Sequence, residues 1–407
     1  MTAGTQTLAH DSRVLGLLGA GHLLSHFYQL SFPALLIIWR GEFDASFAAL
    51  GLIMSLFSLA TFFAQIPAGM LVDRFGARPV LVIGLLIIGG TVAAMSQADS
   101  ILMLYVLVTI AGIGNSVFHP ADYAILNTSI NPVRMGKAFS LHTFSGHLGG
   151  ALAPAVIIFL ATLYDWRTAL LMTGTLGLVI AALIFFQGGI LQDDHVAKEK
   201  KSADEGNDAL SLAAVLKLFS SRQMVLFLLF FILASLTTSG VQSFSVVTLI
   251  DIHEISLPNA STALTAFLFA SAFGILLGGV AADYASRHEW TAAGCFFVSA
   301  AVFASLALWA YPAAVLIAVF TIAGLAQGMI RPARDMMVRA FAPKGSTGRV
   351  FAFTSSGVFL GSAISPVFFG YIVDQGAAVW VFWLLAIFNV LAIGTILAQR
   401  GIPVKEG

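Results

Sequence analysis

Charged side chains are scarce in this sequence. Twenty Lys+Arg and 20 Asp+Glu make up 10% of its 407 residues, whereas a soluble domain carries about 25%. So few charges cannot clothe a water-soluble globule of this length. Cysteine is nearly missing as well. Cys295 stands alone, which excludes an internal disulfide framework and any multi-cysteine metal centre. Neither sign of charge is in excess and no basic stripe stands out, so no nucleic-acid partner is expected. No G-x-x-x-x-G-K-S/T phosphate loop occurs, which argues against ATP as a direct driver. No nucleophile–base arrangement is recognisable, so an enzyme is not expected. The first apolar stretch lacks a small-residue cleavage site and is long enough to span, so no cleaved signal peptide is expected either.

What fills the chain instead is apolar sequence. Hydrophobic residues reach 58%, with 38 glycines and 34 phenylalanines, a composition that suits helices packed closely in a bilayer. A membrane-crossing helix needs about 20 mostly apolar residues. Twelve such segments are read: 13–38, 46–68, 79–97, 100–129, 136–162 and 166–186, then 222–249, 260–282, 290–310, 313–338, 348–373 and 378–398. The short alternating segments of a β-barrel are absent. The expected organisation is a six-helix bundle at 1–186, a cytoplasmic linker at 187–221 and a second six-helix bundle at 222–407. The linker is the only long polar stretch, holding Asp193, Asp194, Lys198, Lys200, Lys201, Asp204, Glu205 and Asp208, and reads as a solvated tether.

Basic residues set the orientation through the positive-inside rule. With the N-terminus inside, Arg13, Arg74, Arg78, Arg134, Lys137, Lys198, Lys200, Lys201, Lys217, Arg222, Arg287, Arg339, Lys344, Arg349, Arg400 and Lys405 fall on the cytoplasmic side. Only Arg40 and Arg167 fall outside, while Arg331 and Arg334 sit within a span. Both termini are therefore expected in the cytoplasm.

A 212-residue shift superposes parts of the two halves. Thr109-Ile110-Ala111-Gly112 falls on Thr321-Ile322-Ala323-Gly324, and Pro120-Ala121 on Pro332-Ala333. Gly136, Phe139, Leu148, Gly149, Ala151 and Pro154 fall on Gly348, Phe351, Leu360, Gly361, Ala363 and Pro366. An even number of spans separates the copies, so the halves are expected to run parallel about an axis along the membrane normal. Between spans 2 and 3 lies Gly69-Met70-Leu71-Val72-Asp73-Arg74-Phe75-Gly76-Ala77-Arg78, and a degenerate copy, Gly279 to Asp283 and Arg287, lies between spans 8 and 9. The first run resembles the signature loop of the major facilitator superfamily. That resemblance implies an all-α membrane fold of twelve transmembrane helices in two parallel pseudo-symmetric bundles. It also implies a gating role for Gly69, Asp73, Arg74, Gly76, Arg78, Asp283 and Arg287, with Asp73 facing the start of span 11 near Gly348.

Spans 4 and 5 narrow the resemblance. Gly112-Ile113-Gly114-Asn115-Ser116-Val117-Phe118-His119-Pro120 and Phe144-Ser145-Gly146-His147-Leu148-Gly149-Gly150 look like the fosmidomycin-resistance branch. That likeness implies an inner-membrane drug exporter that exchanges its substrate for protons. Val108 occupies a position where many drug/proton antiporters of the superfamily carry an arginine.

Ionisable groups at membrane depth are costly and point to function. His22, His26 and Gln29 of span 1 are spaced i, i+4, i+7 and so share a face. Span 4 carries His119 and Asp122, span 5 carries His142 and His147, and span 10 carries Arg331, Arg334 and Asp335. In the resembled family, spans 1, 4, 7 and 10 line the central cavity. The expected substrate contacts are His22, His26, Gln29, His119, His147, Thr238, Gln242 and Arg331, with Arg331 and Arg334 suited to a carboxylate or phosphonate. Thr237 and Ser243 are weaker candidates of the same kind. Proton coupling is expected at His119, Asp122, Arg334 and Asp335, because a histidine titrates in the physiological range. An Asp122–Arg334 pair would latch the cytoplasmic side or be a permanent structural pair. His142 reads as a neutral imidazole bridging two helices. No metal site and no cofactor are expected, since no cysteine or carboxylate adjoins the span 1 histidines in sequence.

The expectation is a monomeric, multi-pass antiporter of a bacterial inner membrane, exporting a small polar or anionic drug-like compound and so conferring antibiotic resistance. Import of an organic anion with protons is the first alternative. A receptor or scaffold that keeps the fold without transport is the second.

Overall fold

The computed structural model describes residues 7–191, 221–284, 287–341 and 347–398. These are helical apart from short connections. Helices α1 (Leu8–Ala34), α2 (Leu36–Phe43), α3 (Phe47–Phe75), α4 (Ala77–Met95), α5 (Ile101–Asn115), α6 (Phe118–Ser129), α7 (Met135–Leu163) and α8 (Trp166–Gln187) come first. They are followed by α9 (Arg222–His253), α10 (Leu257–Tyr284), α11 (His288–Leu308), α12 (Ala313–Phe341), α13 (Thr347–Asp374) and α14 (Val379–Ala398). Most of the expected linker lies outside the described residues.

Local sequence sets several helix starts. The side chains of Thr7, Ser100, Asp165 and Ser221 each accept a hydrogen bond from the backbone N–H three residues on, satisfying a donor that an α-helix leaves free at its N-terminus. Between α3 and α4 the chain turns at Gly76, whose φ of 90° is a left-handed conformation open to glycine.

Among the described residues, eleven helical stretches are long and apolar enough to cross a membrane. Helices α5 and α6 together make one of them, Ile101–Ser129. Twelve spans were expected, and the one missing from this count is α1. Its 27 residues are enough, but His22, Ser25, His26, Tyr28, Gln29 and Ser31 dilute its apolar run. Of these, His22, Ser25, Tyr28 and Ser31 are buried.

The chain divides into two compact units. The first comprises Met1–Ala45 with Leu56–Asn207, and the second Ser46–Ser55 with Asp208–Gly407. In the first unit α1 packs on α7, and α4 packs on α8 and α5. In the second, α9 packs on α13 and α14, α10 on α12, and α11 on α12 and α14. The glycines matched by the 212-residue shift do similar work in each unit. A Cβ on Gly112 would lie 2.6 Å from the carbonyl oxygen of Phe57, and one on Gly324 would collide with that of Phe267. The division does not follow the linker alone. Residues 46–55 group with the second unit because the Phe47 and Ala48 N–H groups donate to the Asp374 carboxylate at 2.8 Å each, and Ser55 donates to the Ala363 carbonyl.

Candidate polar site in the first unit

Three helices of the first unit converge on one aspartate. Asp122 on α6 is fully buried. One of its oxygens, Oδ2, lies 3.3 Å from His22 Nδ1 of α1 and 3.4 Å from His142 Nε2 of α7. The two imidazoles stack with centroids 4.0 Å apart and planes inclined by 29°. His26, one turn along α1, meets the edge of His22 at 4.8 Å. His119, one turn before Tyr123 on α6, approaches His22 at 5.8 Å, and His147 approaches His26 at 6.3 Å.

Close helix approach makes this gathering affordable in space. A Cβ on Gly146 of α7 would stand 2.6 Å from His22 Nε2 and 2.7 Å from His26 Cδ2. One residue turn further, a Cβ on Gly149 would run into the Leu23 backbone. Glycine at both places lets α1 and α7 touch, which presses four imidazoles together.

Polar satisfaction in the cluster is poor. Both oxygens of Asp122, Nδ1 of His22 and both ring nitrogens of His142 are buried without a hydrogen-bond partner. An ionised carboxylate in such surroundings demands a compensating positive charge, because burying it alone costs far more than any hydrogen bond returns. At the edge of the cluster His119 is exposed, and Tyr123 beside it is 43% exposed.

Most of the residues expected on spans 1, 4 and 5 are therefore brought together, and two expectations change. His142 does bridge α7 to α1, but it also faces Asp122 and belongs to the cluster. No carboxylate adjoins the span 1 histidines in sequence, but in space Asp122, a hundred residues along the chain, lies 3.3 Å from His22, so sequence neighbours alone were not a sufficient ground for expecting no ligand set there. Tyr123 was missed. It contacts the rings of His119 at 5.8 Å and His142 at 6.3 Å, and its spacing of i+4 from His119 was the available signal. Gln29 is half-buried.

In the second unit, Arg334 pairs with the neighbouring Asp335 at 2.9 Å and lies 4.7 Å over the Phe231 ring. Arg331 is half-buried. Arg334 thus has an ionic partner within its own unit, whereas Asp122 has two histidine neighbours but no hydrogen bond. The Thr237 and Thr238 hydroxyls donate to the carbonyls of Leu233 and Ala234 on their own helix, which leaves their oxygens as acceptors only. Gln242 is half-buried.

At the signature loop, Gly76 is required by its backbone conformation, but a Cβ on Gly69 would meet nothing within 4 Å. Arg78 donates to the Phe185 carbonyl of α8, and Arg74 lies 5.2 Å over Phe75. Arg287 is the exposed N-cap of α11. The side chains of Asp283 and of residues 347–349, around the expected partner Gly348, lie outside the described residues.

Comparison with known proteins decides the family. Residues 17–251 and 232–406 match the Major Facilitator Superfamily. This chain belongs to that superfamily. It is 26% identical over 286 residues to the fosmidomycin resistance protein of Escherichia coli (strain K12), covering 70% of this chain and 69% of that one. It is 30% identical over 143 residues to a probable L-galactonate transporter of the same organism, a match spanning 35% of this chain and 31% of the relative. A crystal structure of a bacterial homologue of the human lysosomal transporter Spinster superposes with a TM-score of 0.79, at 16% identity and 98% coverage of both chains. The last comparison shows the fold alone. As a superfamily member the chain is a multi-pass membrane transporter of small molecules, not an enzyme.

Proposed function

We propose that this transporter exports a small polar or anionic, drug-like compound in exchange for protons, by alternating access. The observation that carries the reading is the imidazole and carboxylate cluster of α1, α6 and α7, buried at Asp122 and bordered by exposed His119 and Tyr123. Ionisable groups inside membrane spans mark substrate or ion pathways by default, and the fosmidomycin resistance protein is among the relatives.

Energetics supports a coupled cycle. Alternating access alone only equilibrates a solute, whereas one charge crossing about 100 mV supplies about 2.3 kcal/mol, enough for roughly fiftyfold accumulation. Protons are the economical driver for a chain without a phosphate loop. His22, His26, Gln29, His119 and His147 are proposed as substrate contacts from the first unit, and Thr238, Gln242 and Arg331 from the second. Coupling is proposed among the ionisable groups of spans 4 and 10. The signature loop is proposed to gate the cytoplasmic side.

The accompanying topology is twelve spans, with α1 as the twelfth, in two parallel pseudo-symmetric bundles of a monomer. The bundles are taken as 1–186 and 222–407, joined by the linker at 187–221. Both termini are placed in the cytoplasm of a bacterial inner membrane. α1 supports this count because four of the polar residues that dilute its apolar run, His22, Ser25, Tyr28 and Ser31, are buried.

A second reading, proton-linked import of an organic anion, is favoured by the likeness to a transporter named for a sugar acid and by the guanidinium of Arg331. Proteoliposomes under an imposed pH gradient separate the two, with fosmidomycin and galactonate as the first probes. Exchange drives substrate towards the acidic compartment, and symport drives it towards the alkaline one. Flux of either probe that ignored the pH gradient would refute proton coupling.

A further inference from the structure

We propose that His22 Nδ1, His142 Nε2 and Asp122 Oδ2 form a binding site for one first-row transition-metal dication of the zinc class. The site goes beyond transport of an organic solute and stands on the geometry of the first unit.

The separations carry the inference. A charge-assisted hydrogen bond between imidazole and carboxylate contracts to about 2.7–2.9 Å. Here both nitrogen–oxygen distances are longer, at 3.3 and 3.4 Å, and neither geometry makes a hydrogen bond. Tetrahedral ligands with metal bonds of about 2.0–2.2 Å lie about 3.3–3.5 Å from one another. Two edges of such a tetrahedron are already formed, and the three donor atoms all fall within 4.8 Å of each other. Helices α1, α6 and α7 each supply one ligand, so the fold itself presets the site.

The donor chemistry selects the ion. Two imidazoles and one carboxylate suit zinc, cobalt, nickel, copper or iron, whereas magnesium and calcium want oxygen alone. Three protein ligands leave a fourth position open, the pattern of a site that also takes water or a small ligand. A dication would supply the positive charge that buried Asp122 lacks, and would engage three of the five unsatisfied atoms at once. His119, whose ring is 5.8 Å from His22, is the exposed histidine nearest the three donors. His142 Nδ1 has no partner among the described residues. The outer support that usually strengthens such ligands tenfold to a hundredfold is thus missing there, and micromolar rather than nanomolar affinity is expected.

The test uses the full chain in detergent or nanodiscs, titrated with Co²⁺ while its ligand-field absorption is followed, then with Zn²⁺ to displace it. One equivalent should bind with a four-coordinate spectrum. Affinity should fall at least tenfold in Asp122→Asn and in His142→Gln, and be unchanged in His253→Gln, which alters a histidine at the far end of α9. Should the variants fail to fold, X-ray absorption of the zinc-loaded wild-type chain reads the donors directly, and imidazole scattering together with oxygen is expected. The proposal is overturned by absence of saturable binding at millimolar metal, by binding that survives Asp122→Asn/His142→Gln, or by a zinc spectrum without imidazole. Every readout is independent of transport, so failure of either proposal leaves the other to be judged separately.

Discussion

Replacing Gly146 by alanine should push directly on the histidine pair of α1. The added methyl would sit 2.6 Å from His22 Nε2 and 2.7 Å from both His22 Cδ2 and His26 Cδ2, whereas ordinary contact begins at 3.4 Å. The rings must therefore retreat by about 0.7–0.8 Å. They have little room. His22 already stacks on His142 at 4.0 Å and touches Asp122, and His26 is held at 4.8 Å from His22. Overpacking of this kind costs about 1–3 kcal/mol, or roughly 2–12 °C in melting temperature for a unit of about 200 residues. Gly16 of the same α1 makes the control, since a Cβ there meets nothing within 4 Å. Gly16→Ala should stabilise by about 0.5–1 kcal/mol, because alanine loses less backbone entropy in a helix. Thermal melting of both variants in one detergent reads the difference. A Gly146→Ala melting point at or above that of the wild type would refute the packing argument, as would an equal fall in both variants.

Three further outcomes can be checked by the same assay. Gln327 donates to Asn389 at 2.9 Å in a buried pair, so Gln327→Leu alone should cost about 1–3 kcal/mol, while Gln327→Leu with Asn389→Leu should recover much of it. Additive single costs would show that the pair is not coupled. Arg134→Ala should destabilise by about 2 kcal/mol, because it strands the buried Asp11 carboxylate at its 2.6 Å contact. The figure falls below the 3–5 kcal/mol of a fully buried pair because Arg134 is itself 30% exposed. Asp165, in the connection before α8, is held below the usual carboxylate range first by the backbone N–H of Thr168 and then by its hydroxyl. Its stabilising effect is therefore present at neutral pH and lost as pH falls through that depressed value. Asp165→Asn should flatten this part of the acid profile, and an unchanged profile would count against the cap.

Much of the fold was legible from local sequence. Apolar runs of spanning length and Gly76 in its turn act through their immediate neighbours, so a linear reading finds them; the caps Ser100, Ser221 and Asp165 act as locally but were not singled out. Of the expected spans α1 was the exception to a purely apolar criterion, and His22, Ser25, Tyr28 and Ser31 on it are buried. The 212-residue shift also marked Gly112 and Gly149, whose backbones touch other helices, before any helix was placed.

The site was legible only in part. The i, i+4 spacing of His22 and His26 and the i, i+3 spacing of His119 and Asp122 follow from helical periodicity, which any sequence displays. That His22 meets Asp122, that His142 belongs with both, and that Gly146 makes room for them depend on how α1, α6 and α7 pack. Sequence determines which face of a helix is polar. Which polar faces meet is decided by tertiary packing, because the close contacts at Gly146 and Gly149 bring together groups that are distant along the chain.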